Sequence, residues 1–284
     1  MRQDVSMSQD AAATATATHT VTSADGTTIA YEKSGSGPAL VLVDGAMCFR
    51  EFGPARDVAT RLADRYTVYV YDRRGRGQSG DTAPYATERE IEDLAAIIEA
   101  AGGDAFVMGQ SSGAGLALEA AAAGVGMRAL ACYEAPYVGL RPSKDGTPRD
   151  YLGELRALLA RGKRGAAVAY FMTKMVGAPA IAPVMMRLMP RVWKQLKGVA
   201  HTLEYDTMVM GRFEVPAERF ATITVPTLVM AGSKGADEMK RAQRTIAEAI
   251  PGAEHRMLDG QTHQVDASVL AEQLDSFFSA KGAR

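Results

Sequence analysis

Apolar and polar positions along the chain follow two alternating patterns. Apolar runs typical of strands buried on both faces of a sheet lie at 39–43, 67–71, 104–108, 127–133 and 226–231, and residues 254–258 predict a further strand. Segments with a helical spacing of apolar residues lie at 54–64, 87–101, 112–123, 237–250 and 267–280. Residues 19–23 and 27–33 alternate around a tight turn and predict an opening hairpin. The order of these elements predicts an α/β fold with a mostly parallel central sheet and helices on both faces.

The pattern changes at 137–216, where helical patches are broken by Gly and Pro and no convincing strand occurs. This segment holds seven of the fifteen methionines and the single tryptophan, Trp193. Methionines fill gaps in small cores and also line adaptable apolar pockets. We therefore expect a helical cap at 137–216, inserted into a core domain formed by 19–136 and 217–284. Residues 1–18 are polar, lack the apolar stretch of a secretory signal, and predict a disordered tail.

Composition and charge argue against several classes of function. The 284 residues carry a formal net charge of −1, with no basic footprint for nucleic acid and no run of like charge that indicates a membrane surface. No apolar run approaches the roughly 18 residues of a membrane span. Cys48 and Cys132 form neither a disulfide nor a metal pattern, which fits a reducing cytoplasm. The four histidines are scattered, so we expect no metal, and we expect no cofactor. From the charge and the short apolar runs we expect no nucleic-acid and no membrane partner.

A serine flanked by glycines follows the strand predicted at 104–108. Gly109, Ser111 and Gly113 form the pattern G-x-S-x-G, in which a serine sits on a sharp strand-to-helix turn with its hydroxyl exposed. The glycines suit this turn because it brings the backbone close to a neighbouring strand and helix. Ser111 is therefore a candidate nucleophile, whose role depends on the partners that the rest of the chain supplies.

A second glycine pattern carries less weight. Residues 75–80 contain G-x-G-x-x-G after a strand, the fingerprint of a dinucleotide site. That fingerprint must open directly into a helix, whereas residues 81–85 intervene here. The helix is predicted to start at Thr87, with Glu90 completing a capping box. We therefore expect no dinucleotide site.

Four motifs, in order, resemble those of the α/β-hydrolase fold family over residues 20–278. They are a glycine-containing loop after a strand (43–46), a stretch similar to D-x-R-G-x-G-x-S (72–79), the elbow at Ser111, and G-Q-T-H before the last helix (260–263). The resemblance implies an α/β-hydrolase fold with a helical cap, and a serine nucleophile activated by a histidine base.

The resemblance also assigns the partners of Ser111. His263 follows a strand at the sheet edge where the family places its base. Most members place the acid at the position of Gly235, which is not an acid here. Some members use a Glu at the position of Glu134, and Asp237 lies two residues beyond Gly235. We expect Glu134 to be the acid, with Asp237 as the alternative.

Backbone N–H groups are expected to stabilise the oxyanion, since the family uses the residue after the nucleophile and one residue from the loop at 43–46. Ser112 and Ala46 are the expected donors, with Met47 as the alternative to Ala46. Many members carry His-Gly where this chain has Asp44 and Gly45, so the hydrogen bonding around this loop is expected to differ.

These expectations together describe a cytoplasmic serine hydrolase, a monomer or homodimer. It would cleave a carboxylic ester or lactone of a small to medium apolar substrate through an acyl-enzyme. Cofactor-free perhydrolysis, as in haloperoxidases, and carbon–carbon bond hydrolysis use the same triad and stay open. A small-molecule receptor with a hydrolase fold would instead bind its ligand without turnover.

Overall fold

A computed structural model describes residues 17–143 and 145–282; residues 1–16 of the predicted tail lie outside these ranges. Eight strands form one sheet, namely β1 (His19–Thr22), β2 (Thr28–Ser34), β3 (Ala39–Val43), β4 (Thr67–Tyr71), β5 (Phe106–Gln110), β6 (Ala129–Tyr133), β7 (Thr227–Gly232) and β8 (Glu254–Leu258). Their order across the sheet is β1-β2-β4-β3-β5-β6-β7-β8. The pairs β1–β2 and β2–β4 are antiparallel and the other pairs are parallel. The predicted mostly parallel sheet is confirmed.

Eleven α-helices occur in the described ranges. They are α1 (Ala55–Leu62), α2 (Thr87–Ala100), α3 (Ser112–Ala122), α4 (Tyr151–Ala160), α5 (Arg164–Tyr170), α6 (Ala182–Arg187), α7 (Pro190–Gly198), α8 (Leu203–Met210), α9 (Ala217–Phe220), α10 (Asp237–Ala249) and α11 (Ala267–Gly282). A π-helical turn (Phe171–Met175) follows α5, and a 3₁₀ turn (Ala200–Thr202) precedes α8. No helix in this part of the chain is long and apolar enough to span a bilayer.

Alternate side chains of each central strand pack into two separate apolar layers, as the twofold period of a strand requires. On β3, Leu40 and Leu42 face α1 and α11, whereas Val41 and Val43 face α2, α3 and α10. Both faces of the sheet are therefore covered, which explains why these strands are continuous apolar runs.

The strand that leads to Ser111 differs from its predicted bounds. The apolar run predicted a strand at 104–108, but β5 covers Phe106–Gln110. Gly109 pairs with Val43, and Gln110 pairs with Tyr133. Pairing with two neighbours extends the strand past its last apolar residue, so hydrophobicity alone ends it too early.

The capping box predicted for α2 is wrong, although the helix begins at Thr87 as expected. Ala86 occupies the N-cap position, and no side chain caps the helix. Glu90 is buried, and its two oxygens accept hydrogen bonds from the Arg73 guanidinium at 2.7 and 2.8 Å. For Glu90, two charge-assisted hydrogen bonds to a buried guanidinium are more stabilising than one hydrogen bond to a backbone N–H at the start of the helix.

The segment predicted to be a cap contains α4 to α8. Within its described residues the only β pairing is an isolated bridge between Pro142 and Pro148. Helix α8 packs against α3, the helix that begins after Ser111. The cap and its boundaries at 137–216 stay a prediction.

Candidate active site

Ser111 lies at the junction of β5 and α3 with φ 57° and ψ −130°. Its N–H donates to Tyr133 O on β6 at 2.9 Å, which ties the turn to the neighbouring strand. A Cβ on Gly109 would stand 2.6 Å from Ala114 Cα, and one on Gly113 would overlap Val43 O. Both obstacles are backbone atoms that cannot move aside. The strained turn therefore requires both glycines of the G-x-S-x-G pattern.

His263 stands between the serine and a carboxylate. Its Nε2 lies 3.2 Å from Ser111 Oγ, and its Nδ1 lies 2.7 Å from Glu134 Oε2. The imidazole is part-exposed, whereas the Glu134 side chain is 1% exposed. The structure thus brings Ser111, His263 and Glu134 into one hydrogen-bonded chain.

Glu134 directly follows β6 and has φ 48°, a strained backbone for a glutamate. Its second oxygen, Oε1, accepts from the N–H of Gly232 at 2.9 Å. A Cβ on Gly235 would stand 2.9 Å from the same oxygen. Gly235, the position at which the family resemblance implied an acid, thus borders the Glu134 carboxylate, and a glycine there leaves room for it.

Asp237, the alternative acid, is placed differently. Its side chain is 78% exposed and lies 2.7 Å from Lys240 Nζ, one turn along α10. This hydrogen bond lowers the pKa of Asp237. Its position suits a negative charge at the start of a helix.

The loop after β3 lies against Ser111, since a Cβ on Gly45 would stand 2.9 Å from Ser111 Cβ. Arg76 Nη1 donates to Gly45 O at 2.7 Å, and Cys48 N donates to the same oxygen at 3.3 Å. In a trans peptide the C=O and N–H point in opposite directions. Anchoring Gly45 O on the buried side therefore directs the N–H of Ala46 away from Arg76.

Ala46 and Ser112, the two expected oxyanion donors, line the same cavity as Ser111. Met47 has φ 62° and packs against the small apolar cluster formed by Val168, Leu196 and Ala200. Its side chain thus links the loop to the helical segment.

Sequence reasoning missed a buried charge network that contacts Ser112, the residue after Ser111. Asp206 on α8 accepts from Arg73 Nη1, Arg76 Nη2 and Ser112 Oγ, each at 2.8 Å. All four residues are at most 3% exposed. Burial alone would raise the pKa of Asp206, but the charges of Arg76 and Arg73 outweigh it and lower that pKa. The cluster of arginines at 73–76 was the available signal, but Asp206 lies 130 residues further along the chain.

Asp44, at the position where the family resemblance implied a histidine, is 4% exposed. Its Oδ2 is buried without a hydrogen-bond partner among the described atoms. Burial raises the pKa of Asp44 to about 7, against the opposing charges of Arg76 and Arg73. The carboxyl group is therefore readily protonated beside the loop that borders Ser111.

A cavity of about 340 Å³ opens over Ser111 and His263. Its walls are mainly apolar and include Val138, Tyr151, Phe171, Met175, Met210 and Phe213. All six of these side chains belong to the segment predicted to be the cap. In the described ranges, no group of three or more His, Cys, Asp or Glu side chains could hold a metal ion.

The sequence matches the model of the alpha/beta hydrolase family over residues 35–273, and the chain therefore belongs to this family. An alpha/beta hydrolase of Sphaerobacter thermophilus is 51% identical, with a TM-score of 0.84 over 92% of this chain and 100% of that one. The N-formylmaleamate deformylase of Pseudomonas putida is 38% identical over 112 residues, which span 37% of this chain and 40% of the deformylase. An esterase of Thermogutta terrifontis is 19% identical, with a TM-score of 0.68 over 93% of this chain and 99% of the esterase, and shares the fold.

Proposed function

We propose that the protein is a serine hydrolase that cleaves a carboxylic ester or lactone through an acyl-enzyme intermediate. The observation that carries the proposal is the hydrogen-bonded chain from Ser111 Oγ through His263 to Glu134. A serine hydroxyl becomes an effective nucleophile only when an adjacent base removes its proton during attack.

The arrangement of His263 suits this base. The Nδ1–H of His263 donates a hydrogen bond to the Glu134 carboxylate, which leaves the lone pair of Nε2 facing Ser111 Oγ. As Ser111 Oγ bonds to the carbonyl carbon, its proton passes to Nε2. The buried carboxylate then stabilises the imidazolium.

The negative charge that forms on the carbonyl oxygen would be stabilised by the N–H groups of Ala46 and Ser112. Both residues line the cavity beside Ser111. Ser112 lies at the N-terminus of α3, where backbone N–H groups and the helix dipole favour an anion. Met47 is the less favoured donor because, unlike Ala46, it is not among the described residues that line the cavity.

In the remaining steps His263 acts first as an acid and then again as a base. The imidazolium of His263 protonates the leaving alcohol, and the acyl group stays on Ser111. A water molecule then gives a proton to His263 and attacks the acyl carbon. His263 returns this proton to Ser111 Oγ as the bond between Oγ and the acyl carbon breaks, which releases the acid and restores the serine.

The cavity supports a small to medium apolar acyl or alcohol group. Its volume of about 340 Å³ lies at the lower end of the usual range for ligand sites, and its walls are mainly apolar. We expect kcat/KM on p-nitrophenyl esters to peak at a short or medium acyl chain. Flat activity along the series, or a peak at the longest chains, would contradict this reading of the cavity.

A broader panel tests the reaction class. Because one similar protein is named a deformylase, the panel includes an N-formyl amide beside esters and lactones. It also includes peracid formation and a carbon–carbon bond substrate, since perhydrolysis and carbon–carbon hydrolysis use the same triad. Multiple turnovers on esters support the proposal, whereas tight binding with negligible turnover would favour a receptor.

The proposed acid is tested by comparing Glu134→Gln with Asp237→Asn. We expect E134Q to lower kcat by about 10⁴, as loss of a triad acid does elsewhere. D237N changes an exposed carboxylate paired with Lys240, so it should leave kcat within about twofold. Loss of activity in D237N alone would contradict the assignment.

A further inference from the structure

The segment from residue 155 to residue 203 has an unusual charge. It contains nine Lys and Arg residues and no Asp or Glu, in a chain whose formal net charge is −1. Positive charge is therefore concentrated on helices α5 to α7 and the turns between them. Concentrated charge of one sign raises the local potential and selects partners of the opposite sign.

The same segment exposes most of the chain's large apolar side chains that face solvent. Seven such side chains are strongly exposed in the described ranges, and six of them lie between residues 176 and 189: Val176, Ile181, Val184, Met185, Leu188 and Met189. Leu188 is 73% exposed and Ile181 is 59% exposed. We call these six residues the apolar patch. Six exposed apolar side chains within one short stretch of the chain indicate an interaction site.

Cations flank the apolar patch on the adjoining helix. Helix α7 contacts α6 and buries Leu196 in the small apolar cluster, with Trp193 packed against it. Arg191 and Lys194 lie on the exposed side of α7, nearly one turn apart. The Arg187 guanidinium lies 5.3 Å from the centre of the Trp193 ring. Exposed aliphatic side chains and exposed cations thus lie on or beside two helices that contact each other.

The patch is continuous with the cavity over Ser111. Val176 is 54% exposed to solvent and also lines the cavity. Met175, its neighbour, is buried in the cavity wall. An apolar molecule resting on the patch would therefore lie next to the cavity.

We propose that the apolar patch and its flanking cations dock the protein on an anionic lipid surface. Aliphatic side chains would enter the boundary between headgroups and acyl chains, while Lys and Arg meet the acidic headgroups. A twofold contact between two copies would instead place the same positive surface on both sides, where it repels itself. The proposal departs from the expectation, drawn from the sequence, of no membrane partner.

The test is flotation of the full-length protein with vesicles, which needs no turnover and is independent of the proposed hydrolase activity. We expect binding to phosphatidylcholine vesicles containing about one quarter phosphatidylserine, and little binding to pure phosphatidylcholine. Binding should weaken as salt shortens the screening length from about 10 Å at 0.1 M to about 3 Å at 1 M.

Two variants and two matched controls separate the contributions. Leu188→Ser should weaken binding, and so should the double variant R191Q/K194Q, by about fivefold for each cation removed. Met257→Ser changes an exposed apolar residue outside the patch, and R241Q/R244Q changes two exposed cations on α10. Both controls should bind like the parent.

Two results would overturn the proposal. The first is that the parent does not bind the acidic vesicles, or that L188S and R191Q/K194Q bind them as strongly as the parent does. The other is a concentration-dependent dimer in sedimentation that L188S abolishes, because that would assign the patch to a second copy of the chain.

Discussion

Asp206 is the residue whose replacement tests the buried network most sharply. It comes from helix α8 and accepts hydrogen bonds from Arg73, Arg76 and Ser112, each at 2.8 Å. The substitution Asp206→Asn keeps the size of the side chain and removes its charge. It leaves the buried Arg76 guanidinium with a neutral partner, whereas Arg73 keeps its bidentate bond to Glu90.

The expected loss of stability follows from this burial. Removing one partner of a buried ion pair costs about 3–5 kcal/mol, because the remaining charge is not solvated. An asparagine oxygen still accepts one of these hydrogen bonds, so we expect about 3 kcal/mol. That is a large fraction of the ~5–15 kcal/mol typical of a folded protein.

The same substitution should affect catalysis if the proposed site is correct. Arg76 also holds Gly45 O at 2.7 Å, and so fixes the peptide whose N–H belongs to Ala46. Loss of a whole oxyanion donor lowers kcat about 10²–10³-fold. A loosened donor should lower kcat by about tenfold and leave KM nearly unchanged, since the oxyanion forms only in the transition state.

Urea unfolding and steady-state ester hydrolysis measure the two effects, with Glu204→Gln as the control. Glu204 lies on the same helix but pairs with Arg156 at the surface, where the two side chains are 24% and 52% exposed. An exposed pair contributes about 0–1 kcal/mol, so E204Q should unfold and react like the parent. Equal behaviour of D206N and E204Q would refute the reasoning.

Two further predictions concern the residues next to this network. Ser112→Ala removes the hydroxyl that donates to Asp206 and keeps the backbone N–H, so it should lower the free energy of unfolding in urea by about 1.5–3 kcal/mol and change kcat less than tenfold. Ser111→Ala should instead remove nearly all turnover and leave the free energy of unfolding nearly unchanged. Burial raises the pKa of Asp44 to about 7 in the folded protein, whereas the unfolded chain loses this proton at about pH 4. Because the folded protein binds one more proton than the unfolded chain between about pH 4 and pH 7, the free energy of unfolding of the parent should fall across this range. Asp44→Asn should abolish this fall and gain at most about 4 kcal/mol at pH 8, with no gain below pH 4; equal stability of D44N and the parent at both pH values would contradict it.

The order of strands and helices could be predicted because the sheet is covered on both faces. Buried strands such as β3 and β6 have no polar positions, and their apolar runs stand out from the amphipathic helices between them. The elbow could be found for a related reason. Backbone contacts at Gly109 and Gly113 exclude every side chain, so this steric requirement is visible in the sequence as two glycines at fixed spacing.

The charge network could not be predicted, because its members are far apart in the chain. Nothing near Arg73 indicates that its partners are Glu90 and Asp206, and the local pattern at Glu90 even suggested a helix cap. The choice between Glu134 and Asp237 was open for a similar reason. Only the fold places the amide of Gly232 and the space at Gly235 beside the Glu134 carboxylate.

Reaction with a fluorophosphonate tests the central claim most directly, since this reagent phosphonylates a serine only when a base activates it. The parent protein, S111A and H263A would each be treated, digested and examined by mass spectrometry. Our account predicts a single adduct on the peptide containing Ser111, absent from S111A and formed far more slowly in H263A. An unlabelled parent, or labelling of Ser111 that H263A leaves at the same rate, would contradict it.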